Sequence, residues 1–297
     1  MATYNGASYL EAQLRSLLGQ TFTDWALYVH DDGSTDETVG IVRRFAALDS
    51  RIRLVDDGIT FHSSPLNFLH LLEVSSAPYA IFCDQDDIWL ENKLQRLYEA
   101  MTAAGDAGRP RAVYCNSYVY DAEAAVISGS ATLAFPRTLR EALFLNGGVQ
   151  GCAVLFNAPL REICRRVPEH VAMHDHLLML AALSFGSYDY LDMRLMLYRR
   201  HARTVTGRTS GSLSDKVYGF FSGKKAVLDA SHFRATRSFY EANRDRLPAE
   251  ARATLEDFFR FEHEGRLRRV FHALAGGYRI FGRRSVLALK LLLRPIL

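Results

Sequence analysis

Long apolar runs, cysteines and strong net charge are all scarce in this chain, and each scarcity excludes something. No uninterrupted apolar stretch is long enough to span a bilayer. The four cysteines, Cys83, Cys115, Cys152 and Cys164, show no metal-ligand spacing in 297 residues. Three of them sit in or beside apolar runs, where buried reduced thiols and a reducing compartment are the expected reading. Met1 is followed at once by polar, turn-forming residues, so no secretory leader is expected. The formal net charge of +3 says little about partners, and no nucleic-acid-binding module is recognisable. There is no internal repeat and no low-complexity tract. The default is a cytoplasmic protein, soluble or peripheral on the inner face of the plasma membrane.

What the chain does have is two acidic clusters, each placed just after an apolar run. Trp25-Ala26-Leu27-Tyr28-Val29 leads into Asp31-Asp32-Gly33-Ser34-Thr35-Asp36. Tyr79-Ala80-Ile81-Phe82-Cys83 leads into Asp84-Gln85-Asp86-Asp87. Short apolar runs of this kind read as buried parallel strands. In open α/β sheets ligands sit outside the carboxyl ends of the strands. Two carboxylate clusters there suggest a crevice for a divalent cation and a phosphorylated nucleotide.

The rest of the pattern supports an α/β layer architecture with a mostly parallel sheet. Leu10, Leu14, Leu17 and Leu18 share one helical face. Ser34 and Glu37 have the spacing of a capping box for a helix through Val39, Ile41, Val42 and Phe45. Pro65 is placed to open a further helix. Strand-like runs recur at 52–55, 112–120, 152–156, 188–191 and 195–198, with helices at 91–103 and 174–184 among them. A segment rich in Gly, Ser and Thr at 207–214 marks a boundary, and the pattern beyond it is helical. Charge changes there too: from Ser210 onward there are 17 basic and 9 acidic residues, a basic tail on a slightly acidic body.

Each candidate residue has a bland reading beside the chemical one. Asp84, Asp86 and Asp87 could form an acidic turn capping the next helix. They could equally hold a cation, which needs hard oxygen ligands but only one or two protein carboxylates when phosphate supplies the rest. Asp31 and Asp32 could be turn and capping residues, or accept the N–H of a pyrimidine ring. An EF-hand is excluded, because the alternating ligand spacing and terminal Glu are missing. Asp175, between His174 and His176, is either a helix-start carboxylate stabilised by the dipole or a general base for an attacking hydroxyl. Arg199 and Arg200 are either a solvated turn or cations for a diphosphate leaving group. His201 is either a surface histidine or a metal ligand.

Taken in order, Thr3-Tyr4-Asn5-Gly6, the D-D-G-S-T-D and D-Q-D-D-I-W segments, Asn146-Gly147-Gly148, Gly151-Cys152, His174-Asp175 and Leu197-Tyr198-Arg199-Arg200-His201 resemble a known pattern. The chain resembles the inverting glycosyltransferases of family 2, with the GT-A fold, and within them bacterial rhamnosyltransferase-like proteins of surface polysaccharide assembly. The resemblance covers about residues 1–207. It implies a Rossmann-like, mostly parallel sheet flanked by helices as catalytic domain over 1–207 and a helical C-terminal region over 208–297. It implies that Thr3, Tyr4, Asn5, Asp31, Asp32 and Asp84 surround the nucleotide. Asp86 would bind Mg²⁺ or Mn²⁺, Asp87 would support it, and His201 would approach the metal or the diphosphate. Asp175 would be the catalytic base, Arg199 and Arg200 would support the leaving group, and Trp89, Gly148, Gly151, His174 and His176 would lie on the acceptor side. The donor would be a nucleotide sugar, with dTDP-rhamnose as first candidate, and the acceptor a glycan or a lipid-linked glycan.

Relatives carry an apolar strand just before T-Y-N-G, so the first strand of the sheet is expected to be missing here, with a true start upstream. The tail offers Phe220, Phe221, Phe258, Phe259, Phe261, Phe271 and Phe281 among many arginines, and a basic, apolar stretch at 283–294. It reads as a membrane-interface element or as a packed helical subdomain. Two competing functions stand beside transfer: a haloacid-dehalogenase-like phosphatase with Asp84 as nucleophile, and a catalytically silent scaffold binding nucleotide or membrane.

Overall fold

Alternation of apolar residues in the first third builds a parallel sheet, seen in a computed structural model that describes residues 1–103, 105, 108–147, 149–200 and 225–297. The strands are β1 (Ala2–Thr3), β2 (Leu27–Asp31) and β3 (Ile52–Val55), in the order β1-β2-β3. Registers pair Ala2 with His30 and Val29 with Leu54. The strand expected to be missing is therefore represented by two residues. Its ladder continues through Asp32 N–H to Thr3 C=O at 2.9 Å and His30 N–H to Met1 C=O at 3.0 Å. The Met1 amino group reaches Tyr28 C=O at 2.6 Å, so the backbone groups of β2 at risk of burial without partners are satisfied.

The chain's contacts group into two units. The first comprises residues 1–132, 150–166 and 189–204. Around its parallel sheet lie α1 (Ala7–Leu18), α2 (Thr38–Leu48) and α3 (Ser64–Val74). Leu10, Leu14 and Leu17 bury one stripe of α1, as their spacing predicts. Pro65 sits in the first turn of α3, where its missing N–H costs nothing. The capping box does not form: Glu37 is the N-cap of α2 with no side-chain bond. Ser34 is used elsewhere, donating to Asp31 and accepting from Asn5 N–H.

Antiparallel pairing enters in the rest of the unit. A second sheet has the order β4-β8-β6-β9-β5, with β7 (Val126–Ser128) on β6. Its strands are β4 (Tyr79–Ile81), β5 (Ile88–Trp89), β6 (Arg111–Asp121), β8 (Val154–Asn157) and β9 (Ser187–Arg200). Every register recorded in it is antiparallel. Two runs expected as separate strands, 188–191 and 195–198, are one strand, β9. The apolar run at 79–83 keeps strand geometry only through Ile81. Helices α4 (Lys93–Thr102) and α6 (Ala158–Cys164) complete this unit. Asn157 caps α6 by accepting Leu160 N–H at 3.3 Å.

The second unit comprises 133–149, 167–188 and 205–297. It contains α5 (Leu139–Ala142), α7 (His174–Phe185), α8 (Ala230–Asn243), α9 (Ala249–Phe259), α10 (Arg266–Ala275) and α11 (Arg284–Leu293). Its core is an aromatic cluster. The Phe144 ring meets Phe258, Phe261 and Tyr278 edge-on at 5.2–5.6 Å, the geometry that ring quadrupoles favour. Asp229 caps α8 through Ser231 and His232 N–H. Thus α7, which carries Asp175, packs with the C-terminal helices. The boundary expected at 207–214 lies outside the described residues.

Candidate active site at the strand ends

Three loops predicted to form the site converge in the first unit through hydrogen bonds. Gln85 bridges the second acidic cluster to T-Y-N-G: its Oε1 accepts Tyr4 N–H and its Nε2 donates to Tyr4 C=O, both at 3.0 Å. A Cβ on Gly6 would stand 2.1 Å from Gln85 Oε1, so the bare glycine leaves the space that the Gln85 amide occupies. Asn5, with φ of 46°, accepts Thr35 N–H at 2.8 Å through Oδ1 and donates its own N–H to Ser34 Oγ at 2.8 Å. Asparagine is among the few residues that tolerate this backbone region.

Asp31 and Asp32 hold this frame together. Asp31 accepts from Thr3 Oγ1 at 2.8 Å, Ser34 N–H at 2.7 Å, Ser34 Oγ at 2.6 Å and Gly33 N–H at 3.2 Å. Asp32, buried, accepts backbone N–H groups of Phe61, His62 and Ser63 at 2.5–3.0 Å. Both carboxylates are thus engaged in fixing the loops that follow β2 and β3, and the D-D-G-S turn owes its shape to them. Thr3 is buried, while Tyr4 is exposed beside it.

Beyond β4 the charges crowd. Burial and the neighbouring Asp86 push the Asp84 carboxyl up to about 6. Burial, then Asp84 and Asp86, push Asp87 well above the usual carboxylate range. Asp87 is fully buried. It accepts Cys152 S–H at 3.2 Å and Arg199 N–H at 3.1 Å, which makes it a brace between the turn Gly151–Ala153 and β9. Ligand atoms of Asp84, Asp87 and Cys152 lie within 4.8 Å of one another. Arg199 donates through Nε to Asp86 C=O at 2.7 Å and lies between the rings of Tyr9 and Tyr120, 5.1 Å from each. It therefore fixes the Asp86 backbone from within the fold. The Arg200 Nε is buried without a hydrogen-bond partner among the described residues.

Two residues of this centre were not anticipated. Lys93 is fully buried. Its Nζ donates to Cys152 C=O at 2.6 Å and stands 3.5 Å from the centre of the Trp89 ring. Burial lowers its pKa, against the pull of the nearby thiols and Asp87. A helical wheel carried the signal: Lys93 shares the buried face of α4 with Leu94, Leu97 and Met101. Gln85, the bridge to Tyr4, gave none. Trp89, expected on the acceptor side, is buried with Lys93 over its ring, so it packs the centre from behind. Gly151 lies in the buried turn Gly151–Ala153. Burial pushes Cys83 up to about 12 and raises Cys152 well above its ordinary value, which leaves both as protonated, inert thiols.

In the second unit Asp175 lies in the first turn of α7 and accepts His176 N–H at 2.7 Å. His174 and His176 are buried, and burial lowers each to about 3, so both are neutral at physiological pH. The His176 ring meets His232 at 4.9 Å. Gly148 and His201 lie outside the described residues.

Residues 1–166 match the family described as Glycosyl transferase family 2. The chain belongs to that family. The family 2 chain is 28% identical over 222 residues to the dTDP-rhamnosyl transferase RfbG of Shigella flexneri, a match covering 70% of this chain and 73% of that one. It is 36% identical over 95 residues to the UDP-Glc:alpha-D-GlcNAc-diphosphoundecaprenol beta-1,3-glucosyltransferase WfgD of Escherichia coli, covering 32% of this chain and 36% of the relative. It shares its fold with S. aureus TarS in complex with UDP, at a TM-score of 0.58 and 16% identity, over 88% of this chain and 70% of that one. A mannosyltransferase of Pyrobaculum calidifontis in complex with GDP-Man and Mn2+ aligns at a TM-score of 0.51 and 14% identity, over 97% and 88% of the two chains. The GT-A glycosyltransferase fold expected from the motifs is the fold found. Family membership sets aside the phosphatase reading.

Proposed function

We propose that this glycosyltransferase moves a sugar from a nucleotide-diphosphate donor, with dTDP-L-rhamnose as first candidate, to a glycan or lipid-linked acceptor in surface polysaccharide assembly. The transfer inverts the anomeric carbon and depends on a divalent cation. The observation that carries this reading is the crowding of Asp84, Asp86 and Asp87 beside T-Y-N-G. Asp84 and Asp87, whose carboxyls burial and then neighbouring carboxylates push up, belong to the kind of donor set that a hard cation relieves. Lys93 relieves it only in part: its charge pulls Asp84 down, but burial and Asp86 outweigh that pull.

Asp86 and Asp84 are the residues that would hold Mg²⁺ or Mn²⁺. The cation, when bound, supplies neutralisation of negative charge on the departing diphosphate. The chain's own residues do the rest. Gln85 and Asn5 keep T-Y-N-G against the acidic turn. Asp31 and Asp32 fix the walls of the nucleotide site. Arg199 holds the Asp86 backbone in place, and Arg200 adds positive charge for the diphosphate. Asp175 takes the proton of the acceptor hydroxyl, whose oxygen bonds to the anomeric carbon as the bond to the diphosphate breaks. The RfbG likeness supports rhamnose as donor, and the WfgD likeness supports a lipid-linked acceptor.

A lipid-linked acceptor gives the C-terminal helices a use. On α10, Leu267 and Phe271 are 77% and 74% exposed, and Leu274 continues the same stripe. Exposed Arg266 and Arg268 flank it, and Phe281, Arg283 and Arg284 are exposed further on. A helix with an exposed apolar stripe bordered by arginines suits an anionic membrane surface. No helix among the described residues is long and apolar enough to cross a membrane. The decisive experiment incubates the protein with dTDP-, UDP- and GDP-sugars with and without Mg²⁺ or Mn²⁺, and follows nucleotide release and product anomer. Metal-dependent turnover of one donor with inversion is expected. No turnover of any donor, with or without membranes from a producing cell as acceptor source, would leave the silent-scaffold reading standing.

A further inference from the structure

A second cluster of ligand-type side chains lies in the first unit, outside the acidic turn. His30 at the end of β2, Asp57 just after β3 and His70 on α3 bring their ligand atoms within 4.8 Å of one another. His30 Nε2 stands 3.2 Å from Asp57 Oδ1, and His70 Nε2 stands 2.6 Å from Asp57 Oδ2. Both imidazoles therefore turn the same nitrogen toward one carboxylate.

The tautomer of His30 is fixed from behind. Asn67 Nδ2 donates to His30 C=O at 3.3 Å, which sets the amide so that its Oδ1 faces His30 Nδ1, 2.8 Å away. Nδ1 must then carry the hydrogen. With Nδ1 so engaged, Nε2 is the nitrogen left to face the Asp57 carboxylate, where it either donates a hydrogen to Asp57 or shares a cation with it. An imidazole oriented by a hydrogen bond at its far nitrogen is the arrangement metal-binding histidines use. The His30 side chain is 2% exposed, while Asp57 and His70 are 29% and 20% exposed, so the cluster has a protected floor and an open side for a water ligand. The Phe61 ring covers both imidazoles, at 5.8 Å from His30 and 5.1 Å from His70.

We propose that His30, Asp57 and His70 form a binding site for a divalent transition-metal cation of the zinc class, distinct from the donor-diphosphate site, which clamps the loop after β3 to β2 and α3. Two imidazole nitrogens and one carboxylate are the ligand set such ions prefer over Mg²⁺. Bonds of about 2.0–2.1 Å in a tetrahedral site place ligand atoms slightly farther apart than the His70–Asp57 pair, so the partly exposed His70 swings back to admit the ion. The clamped loop is the one whose Phe61, His62 and Ser63 N–H groups hold Asp32. A cation here therefore stiffens one wall of the D-D-G-S turn.

The test titrates Co²⁺ into the full-length protein in saturating Mg²⁺ and reads visible absorption, with the melting temperature in Zn²⁺ as second readout. Expected are the intense bands of tetrahedral nitrogen–oxygen ligation, a Zn²⁺-dependent rise in melting temperature, and Co²⁺ binding weaker by about tenfold or more in His70→Gln. Asp57→Asn serves as the second variant should His70→Gln melt well below the parent without metal. Absence of tetrahedral bands, equal binding by both variants, or thiolate charge-transfer bands that move the ion to Cys152 would each overturn the proposal. The first of these would leave the cluster as a histidine–carboxylate hydrogen-bond network.

Discussion

The two units bury polar side chains in opposite ways. In the first, Asp84, Asp87 and Lys93 are formally charged groups packed within one centre, and their environments push both carboxyls up and the amine down. In the second, burial holds His174 and His176 on α7 neutral, with His232 adding to the effect at His176. Burying mutually repelling charges is costly and is kept where a ligand can offset the cost. Burying a neutral imidazole is a packing solution. The contrast separates a cluster of like-charged buried groups from a pair of buried imidazoles held neutral.

The largest expected effect breaks the first centre without harming the fold. Asp86→Asn should lower metal-dependent sugar transfer by about 10²–10³-fold with a melting temperature close to the parent, checked by steady-state turnover and calorimetry. A parallel collapse in melting temperature would show that Asp86 serves packing instead. The complementary substitution in the second unit is Phe144→Ala, which removes the ring that Phe258, Phe261 and Tyr278 pack against. It should cost about 3–5 kcal/mol, read by denaturant unfolding.

Acidity distinguishes the units by sign. His174 and His176 titrate at about 3 when folded, against 6.5 ordinarily. The unfolded chain therefore takes up protons first as pH falls. Their contribution is complete above pH 6.5 and declines from there toward pH 3. Asp84 behaves oppositely in metal-free protein: its folded carboxyl, at about 6 against 3.8, binds a proton the unfolded chain has released, so its contribution favours the fold at low pH and fades as pH rises from 3.8 to 6. Unfolding followed against pH, with His176→Asn reducing the first slope and Asp84→Asn the second, checks this. Mg²⁺ or Mn²⁺ should also bind more tightly as pH rises through 6, because metal and proton compete for Asp84. The smallest expected effect is that of Gln85→Ala. Loss of its two hydrogen bonds to Tyr4 should cost about 0.5–1.5 kcal/mol each and show in the donor KM more than in overall stability.

How much of this was legible beforehand varied by residue. The buried stripe of α1 and the Pro65 start of α3 followed from spacing alone. The capping box at Ser34 and Glu37 failed because Ser34 had a better use against Asp31, three residues away, and Asn5, 29 residues away in sequence. One mostly parallel sheet was expected, and the pairs β1–β2 and β2–β3 are parallel, whereas β4–β8, β6–β8, β6–β7 and β5–β9 are antiparallel. Apolar runs of similar length suit both kinds of buried strand, and only the connections settled the direction. Asp31 and Asp32 read as nucleotide ligands, yet the fold supplies their carboxylates with backbone and hydroxyl donors that no linear pattern could reveal.

The order of residues determined the family, the position of the acidic turn at the end of an apolar strand, and the helical, basic character of the tail, because each depends on near neighbours along the chain. Tertiary structure alone decided that Gln85 joins Tyr4, that Lys93 lies under Trp89, and that His30, Asp57 and His70 meet at one point. Those contacts join segments that lie far apart in the chain, and they exist only because burial of the surrounding apolar faces brings their backbones within hydrogen-bonding reach.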